Sequence, residues 1–265
     1  MRWRWLPPNL KVIRIDIDPT EMVRLKPDVA VVADAAEGTR ALLEAVGSAG
    51  ASRTAEFRQV KDRARTAYSS VQPQIAYLDA IRAVLPRDGF FVEEISQTGF
   101  AARFGFPVYE PRHYVTCGYQ DNLGFGYNTA LGVKVAHPDK AVISISGDGG
   151  FLFGLQEMAT AVHHGINVVA IVFNNSSYGN VRRDQMQSYQ GRYIGSDLTN
   201  PDFVTLAQSF GMAGYRATSP DELKKVLAAA LERDAPCLIE VPVEKGSESS
   251  PWPFIHPAPP QPSTP

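Results

Sequence analysis

The residues of this chain best placed to do chemistry fall in two short clusters. Gly147-Asp148-Gly149-Gly150 follows the apolar run Val142 to Ser146 and opens a helical pattern. Glycines at such a turn let backbone N–H groups approach an anion, and the helix N-terminus adds a favourable dipole. Asp148 is the only carboxylate of the turn and would repel a phosphate unless a cation sat between them. Mg2+ resolves that conflict, because it takes few protein oxygens and bridges to phosphate oxygens. The second cluster, Asn174-Asn175, comes 27 residues after Asp148 in the count to Asn175. That is close to one strand-helix-strand crossover of about 30 residues, so both clusters belong at the same edge of a parallel sheet. Asn175 can offer a neutral amide oxygen, and the turn Ser176-Ser177-Tyr178-Gly179 can offer backbone carbonyls, Ser177 first among them. With two diphosphate oxygens and a water, these groups complete an octahedron. Taken singly, the first cluster reads equally as a tight strand-helix turn and the second as a turn or helix cap; at this spacing they point together to a cation-bridged diphosphate site.

The elements that must position these clusters alternate strictly from residue 75 onward. Helical spacing covers 75–85, 124–136, 155–164, 202–210 and 221–232. Strand patterns cover 90–96, 141–146, 167–173, 215–218 and 237–243. Val168-Val169-Ala170-Ile171-Val172-Phe173 is apolar on both faces, as a parallel sheet covered by helices requires. The fold class expected is α/β, a doubly wound, mostly parallel sheet over 75–245, preceded by a fragment of a second α/β domain. That fragment is residues 1–50, with strands at 11–18 and 29–32 and a helix at 35–46, too small to close its own core. A polar, basic and partly helical linker over 51–74 joins the two. Residues 246–265, rich in proline and without periodicity, read as a tail rather than a fold element, although Trp252 and Phe254 suggest a cap over the site as an alternative.

Composition excludes several classes of function. Hydrophobic residues make up 44% of the 265 and charged residues 20%, with a net charge of −2, so no global field favours nucleic acid or an anionic membrane. The start carries positive charge without an apolar stretch long enough for a signal peptide. No run approaches the roughly 20 apolar residues of a membrane span. A cytoplasmic location is the expectation, with Cys117 and Cys237 as reduced thiols of no metal-like spacing.

The pair Gly147-Asp148-Gly149 and Asn174-Asn175 resembles the cofactor motif of thiamine-diphosphate enzymes, and residues 75–243 resemble the cofactor-binding domain of the acetolactate synthase, pyruvate oxidase and benzoylformate decarboxylase family. The run Val12 to Pro19 resembles the end of that family's central domain. The resemblance implies Asp148, Asn175 and the Ser177 carbonyl as Mg2+ ligands. It implies Gly147, Gly149, Gly150, Tyr178 and Gly179 around the diphosphate, with backbone donors reaching it past the glycines. Gln97 falls where the family often has a glutamine near the diphosphate. Leu123 matches the bulky apolar residue that props the cofactor in its bent shape. Thiamine diphosphate and Mg2+ are the cofactors implied; FAD occurs in relatives without being indicated here.

Two departures stand out: Asp121 where relatives usually carry glycine, which puts the local pocket in doubt, and Asn128 where they carry proline. Glu93 and Glu94, at the end of a strand, read first as surface carboxylates and alternatively as facing substrate, His163 and His164 as surface positions at a helix end, and His113 as a candidate to approach the site. The glutamate that activates the cofactor in the family belongs to a pyrimidine-binding domain, usually of a neighbouring subunit, and none of the glutamates here has a motif to replace it. The expectation is the diphosphate-binding half of a 2-keto acid decarboxylase or carboligase, working in a homo- or hetero-oligomer with a pyrimidine-domain chain. The alternative is a truncated fragment that binds cofactor and catalyses nothing alone. A nucleotide-binding reading lacks both a GxGxxG and a P-loop.

Overall fold

The computed structural model describes residues 9–24, 26–47, 50–118 and 120–256. The chain divides into two compact units, residues 1–63 with 258–265 and residues 64–257. The division falls within a helix.

In the first unit, β1 (Ile13–Asp16) and β2 (Val29–Val32) pair in parallel, with Ile13 opposite Val29. Helix α1 (Ala35–Val46) starts at Asp34, whose side chain accepts from the Ala36 N–H and satisfies one of the free amides of the first turn. Gly38 lets α1 approach β1, since a Cβ there would lie 2.5 Å from Ile15. Gly38 alone among the described residues of this unit is buried. Helix α2 (Thr54–Tyr68) occupies much of the stretch expected as a linker.

The second unit contains a six-stranded, wholly parallel sheet. Its strands are β3 (Phe90–Glu93), β4 (Tyr114–Thr116), β5 (Val142–Gly147), β6 (Val169–Asn174), β7 (Ala213–Arg216) and β8 (Cys237–Pro242), in the order β4-β3-β5-β6-β8-β7. Helices α3 (Gln74–Val84), α4 (Gln97–Gly105) and α10 (Pro220–Glu232) pack on one face. Helices α5 (Gly126–Ala136), α7 (Met158–His164) and α9 (Phe203–Ser209) pack on the other. Alternate residues of each strand feed the two cores: Phe91, Ile143 and Ile171 point to the first, Phe90, Val92, Val142 and Ala170 to the second. This is the period-two burial of a sheet covered on both sides.

From β3 the chain steps outward to β4 and then returns to place β5 on the other side of β3. The sheet therefore has a switch point between β3 and β5, where crossovers diverge and leave a crevice at the carboxyl ends of the strands. Among the remaining helices, α6 (Asp148–Phe151) and α8 (Gly179–Ser188) begin at residues lining that crevice, and α11 (Trp252–Ile255) lies near the chain's end.

Several sequence expectations shift. The strand placed at 215–218 is Ala213–Arg216, and the helix placed at 155–164 begins as a 3-10 turn at Leu155–Glu157 before α7. Helices α4 and α8 and the edge strand β4 have no counterpart in the periodicity reading. The stretch 246–256, expected as part of a tail, is an ordered strap. Its Ser249 N–H donates to the Gln72 carbonyl at 2.8 Å, and its carbonyl accepts from Gln74 Nε2 at 2.7 Å. Residues 257–265 of that tail lie outside the described residues.

Candidate functional site

A cavity of about 150 Å³ occupies the crevice. The turn after β3 brings Ile95, Ser96 and Gln97; the turn after β5 brings Gly147 to Gly150; the turn after β6 brings Asn175, Ser177, Tyr178 and Gly179. Leu123 reaches in from the loop before α5. Every residue singled out from the sequence as a cofactor or metal contact therefore lines one space. β5 and β6 are neighbours in register, Gly147 opposite Phe173, so their turns leave the sheet side by side.

Asp148 is buried and is the first residue of α6. Its Oδ2 accepts from Asn200 Nδ2 at 2.6 Å. Burial pushes its carboxyl above the ordinary aspartate value, opposed by that bond and by the backbone N–H groups of Gly149, Ser176 and Ser177. The two asparagines divide their work. Asn174 faces the protein: Nδ2 donates to Glu240 at 2.7 Å, and Oδ1 accepts from Asn200 at 2.8 Å and from the Ser176 N–H at 3.1 Å. Asn175 faces the cavity, its Oδ1 accepting from the Ser177 N–H at 3.1 Å and Oγ at 3.0 Å.

The turn after β6 is held by a short antiparallel bridge between Ser177 and Asp197. Tyr178 donates its N–H to Ser196 and Leu198 donates to Ser176, which leaves the Ser177 carbonyl outside the bridge. Ser176 sits at φ 53°, the left-handed region that a tight turn demands.

Two glycines define the cradle. A Cβ on Gly149 would lie 2.5 Å from the Tyr178 ring, and one on Gly150 would lie 1.6 Å from Glu94 Oε1. Only hydrogen fits at either position, which keeps the backbone of the turn open to a ligand.

Glu94 corrects the surface reading given to it and to Glu93, since both are fully buried. Glu94 accepts from the Gly124 N–H at 3.1 Å, the Gly126 N–H at 2.9 Å and Ser146 Oγ at 3.1 Å. It staples the end of β3 to the loop that carries Leu123 and to β5. Burial raises its carboxyl above the usual glutamate value despite these donors. Glu93 lies 3.5 Å from the Arg103 guanidinium. Neither role shows in the sequence, where consecutive charged residues at a strand end resemble a solvated edge; the one available signal was that they follow a fully apolar strand directly.

Asp121 turns from the cavity to Arg103, which donates to its two oxygens at 2.6 and 3.2 Å. The departure from glycine thus serves an ion pair and adds no carboxylate to the cavity lining. His113 stacks on Phe90 at 4.0 Å between ring centroids and is not among the lining residues. His163 and His164 are exposed.

Of the lining residues that sequence reading did not single out, Glu248 is the one with an ionisable side chain. Glu248, on the strap, accepts from Asn175 Nδ2 at 2.7 Å, and its carboxyl is pushed up to about 7, chiefly by burial and further by the nearby Asp148. It lies in a stretch without periodicity, where sequence spacing carries no positional information.

The donor set suits a hard divalent cation: one buried carboxylate, one amide oxygen and one backbone carbonyl on adjacent turns. No group of three or more histidine, cysteine or acidic side chains able to hold a metal occurs among the described residues, so a cation here would draw further oxygens from an anionic ligand, as Mg2+ does. The glycine cradle and backbone N–H groups fit a diphosphate.

Comparison with known proteins accords with this geometry. Residues 94–241 match the family model described as thiamine pyrophosphate enzyme, C-terminal TPP binding domain. The chain is 32% identical over 236 residues to the acetolactate synthase large subunit of Haemophilus influenzae, covering 84% of this chain and 41% of that one. It is 31% identical over 240 residues to the acetolactate synthase isozyme 3 large subunit of Escherichia coli, covering 85% and 42%. A thiamine diphosphate-dependent 4-hydroxybenzoylformate decarboxylase of Rhodococcus jostii superposes with a TM-score of 0.71 at 26% identity, over 90% of this chain and 45% of that one. The chain thus spans less than half the length of each of these relatives. By cavity, cradle and the 94–241 match together, the chain belongs to the thiamine pyrophosphate enzymes, as a C-terminal TPP-binding domain.

Proposed function

We propose that this chain holds the diphosphate and Mg2+ of thiamine diphosphate for an acetolactate-synthase-like 2-keto acid decarboxylase or carboligase, and that a pyrimidine-binding domain in another polypeptide segment supplies the activating glutamate. The observation that carries this reading is the single cavity shared by the turns after β3, β5 and β6, with Asp148 and Asn175 beside a cradle that admits only glycine. Bound there, thiamine diphosphate would supply the electron sink for cleaving and forming a carbon–carbon bond beside a keto group.

The chain's own residues bind and orient. Asp148, Asn175 and the Ser177 carbonyl hold the cation, which offsets the repulsion between Asp148 and the diphosphate. At Gly149, Gly150 and Gly179 the missing side chain would let backbone donors reach the phosphate oxygens, with Gln97 alongside. Leu123, fixed through Glu94, supports the bent cofactor. Support for the carboligase class comes from the acetolactate synthase relatives.

The reading is tested by turnover of a 2-keto acid such as pyruvate. The pure chain with Mg2+ and thiamine diphosphate is expected to be inactive, and adding a pyrimidine-domain chain from the same source to restore turnover. Turnover by the chain alone would contradict the division of labour.

A further inference from the structure

Glu248 stands outside the motifs that define the site, yet it is fixed against one of them. Its Oε2 takes a hydrogen from Asn175 Nδ2 at 2.7 Å. Backbone bonds at the next residue hold it there, Ser249 N–H to the Gln72 carbonyl and Gln74 Nε2 to the Ser249 carbonyl. Four residues on, Trp252 donates Nε1 to Asn180 Oδ1 at 3.0 Å, rests against Phe100 at 5.0 Å between centroids and lies under the Arg183 guanidinium. The strap is therefore tied at two points directly after Glu248, and the carboxylate reaches the cavity beside a fixed backbone.

An asparagine side chain presents two chemically opposite ends, and only the oxygen can ligate a cation. The Asn175 oxygen and the Asp148 carboxylate both draw on the Ser177 N–H, so the two prospective ligands converge on one point of the turn. Rotating the amide by half a turn would set its oxygen against the Glu248 carboxylate and its nitrogen against the Ser177 N–H. Both contacts are repulsive, so an acceptor at position 248 fixes the orientation that a cation needs. Partners of this kind behind metal ligands set ligand direction, and their loss commonly weakens metal binding by about 10–100-fold.

We propose that Glu248 is a positioning residue for the cation site, holding the Asn175 amide with its oxygen toward the metal. This rests on the cation reading of Asp148 and Asn175 given above. The test uses the full chain with excess thiamine diphosphate and measures Mn2+ affinity by electron paramagnetic resonance, a readout independent of turnover. Glu248→Gln retains an acceptor oxygen on a side chain of the same length and should bind Mn2+ within about threefold of the parent. Glu248→Leu removes the acceptor and should weaken binding by about 10-fold or more. Asn175→Leu should weaken it at least as far, and the double variant Glu248→Leu/Asn175→Leu no further, because both act through one amide. Glu248→Met replaces the leucine variant should that fail to fold.

Parent-like Mn2+ affinity in Glu248→Leu, alongside a loss in Asn175→Leu, overturns the inference and leaves the cation reading standing. An equal loss in Glu248→Gln and Glu248→Leu also overturns it, since charge rather than acceptor geometry would then matter. Tighter binding in Glu248→Leu overturns it in favour of a repulsive gate. Unchanged affinity in Asn175→Leu and Asp148→Ala removes the cation reading itself, and this inference with it.

Discussion

At the scale of single residues, the site is held open by a carboxylate that touches none of the motif's own ligands. Glu94 satisfies two backbone N–H groups and a hydroxyl, and Gly150 exists to make room for it. Glu94→Ala leaves three donors unpaired, two of them fully buried, each buried one worth about 1–3 kcal/mol. The expected loss is about 3 kcal/mol or more of unfolding free energy in urea, together with weaker cofactor binding as the Leu123 loop is released. Gly150→Ala should reproduce much of that loss, since its methyl cannot coexist with the present Glu94 rotamer and overpacking alone costs about 1–3 kcal/mol. Unchanged urea midpoints in both variants would show that the staple contributes nothing. The motif glycines and Asp148 were legible from the sequence because their chemistry is local to one turn. Glu94 was not, because its partners lie 30 to 52 residues away and nothing in a strand-end glutamate announces them.

At the scale of elements, regular periodicity told most and irregular segments least. The strands β3, β5, β6 and β8 and the helices that cover them carry strong patterns, and they build the sheet whose switch point makes the crevice. Edge strand β4 is only three residues long and polar helix α8 buries no residue, so no period marks either. The strap was hidden for another reason: it is fixed by two hydrogen bonds at Ser249, one of them from the Gln74 side chain, and by the aromatic contacts of Trp252 rather than by a repeating pattern. Trp252→Ala should raise amide hydrogen exchange over 246–256 while leaving β5 and β6 protected, because few contacts beyond the strap depend on that ring; equal protection of the strap in both proteins would speak against the anchor. At the far edge of the sheet, Asp202 caps α9 by accepting from the Thr205 N–H at 2.7 Å and pairs with Arg216. That backbone bond, then the arginine, lower its carboxyl to about 2 from an ordinary 3.8. A depressed carboxylate contributes stability above its unfolded pKa and loses it as pH falls through the folded one. Asp202→Ala should therefore be less stable than the parent at pH 6, and the gap should close between pH 4 and 2. A gap that persisted undiminished at pH 2 would exclude the titration of Asp202 as its source.

At the scale of the molecule, the second unit brings the turns after β3, β5 and β6 into one cavity within the segment that matches the TPP-binding domain. Under the proposed function its cavity would hold the cation on Asp148 and Asn175 and the diphosphate at the glycine cradle, and the family match covers the segment that builds them. The first unit buries little of its own apolar surface: Ile13, Val29 and Val32 remain exposed. Binding that depends on a cation between two negative partners has a simple signature, since neither cofactor nor metal alone should bind as well as the pair. The most direct measurement is a calorimetric titration of the full chain with thiamine diphosphate, with Mg2+ and with EDTA, for the parent and for Asp148→Ala. The account predicts saturable heat for the parent with Mg2+, and its loss both in EDTA and in Asp148→Ala. Equal affinity in the parent and in Asp148→Ala would contradict it.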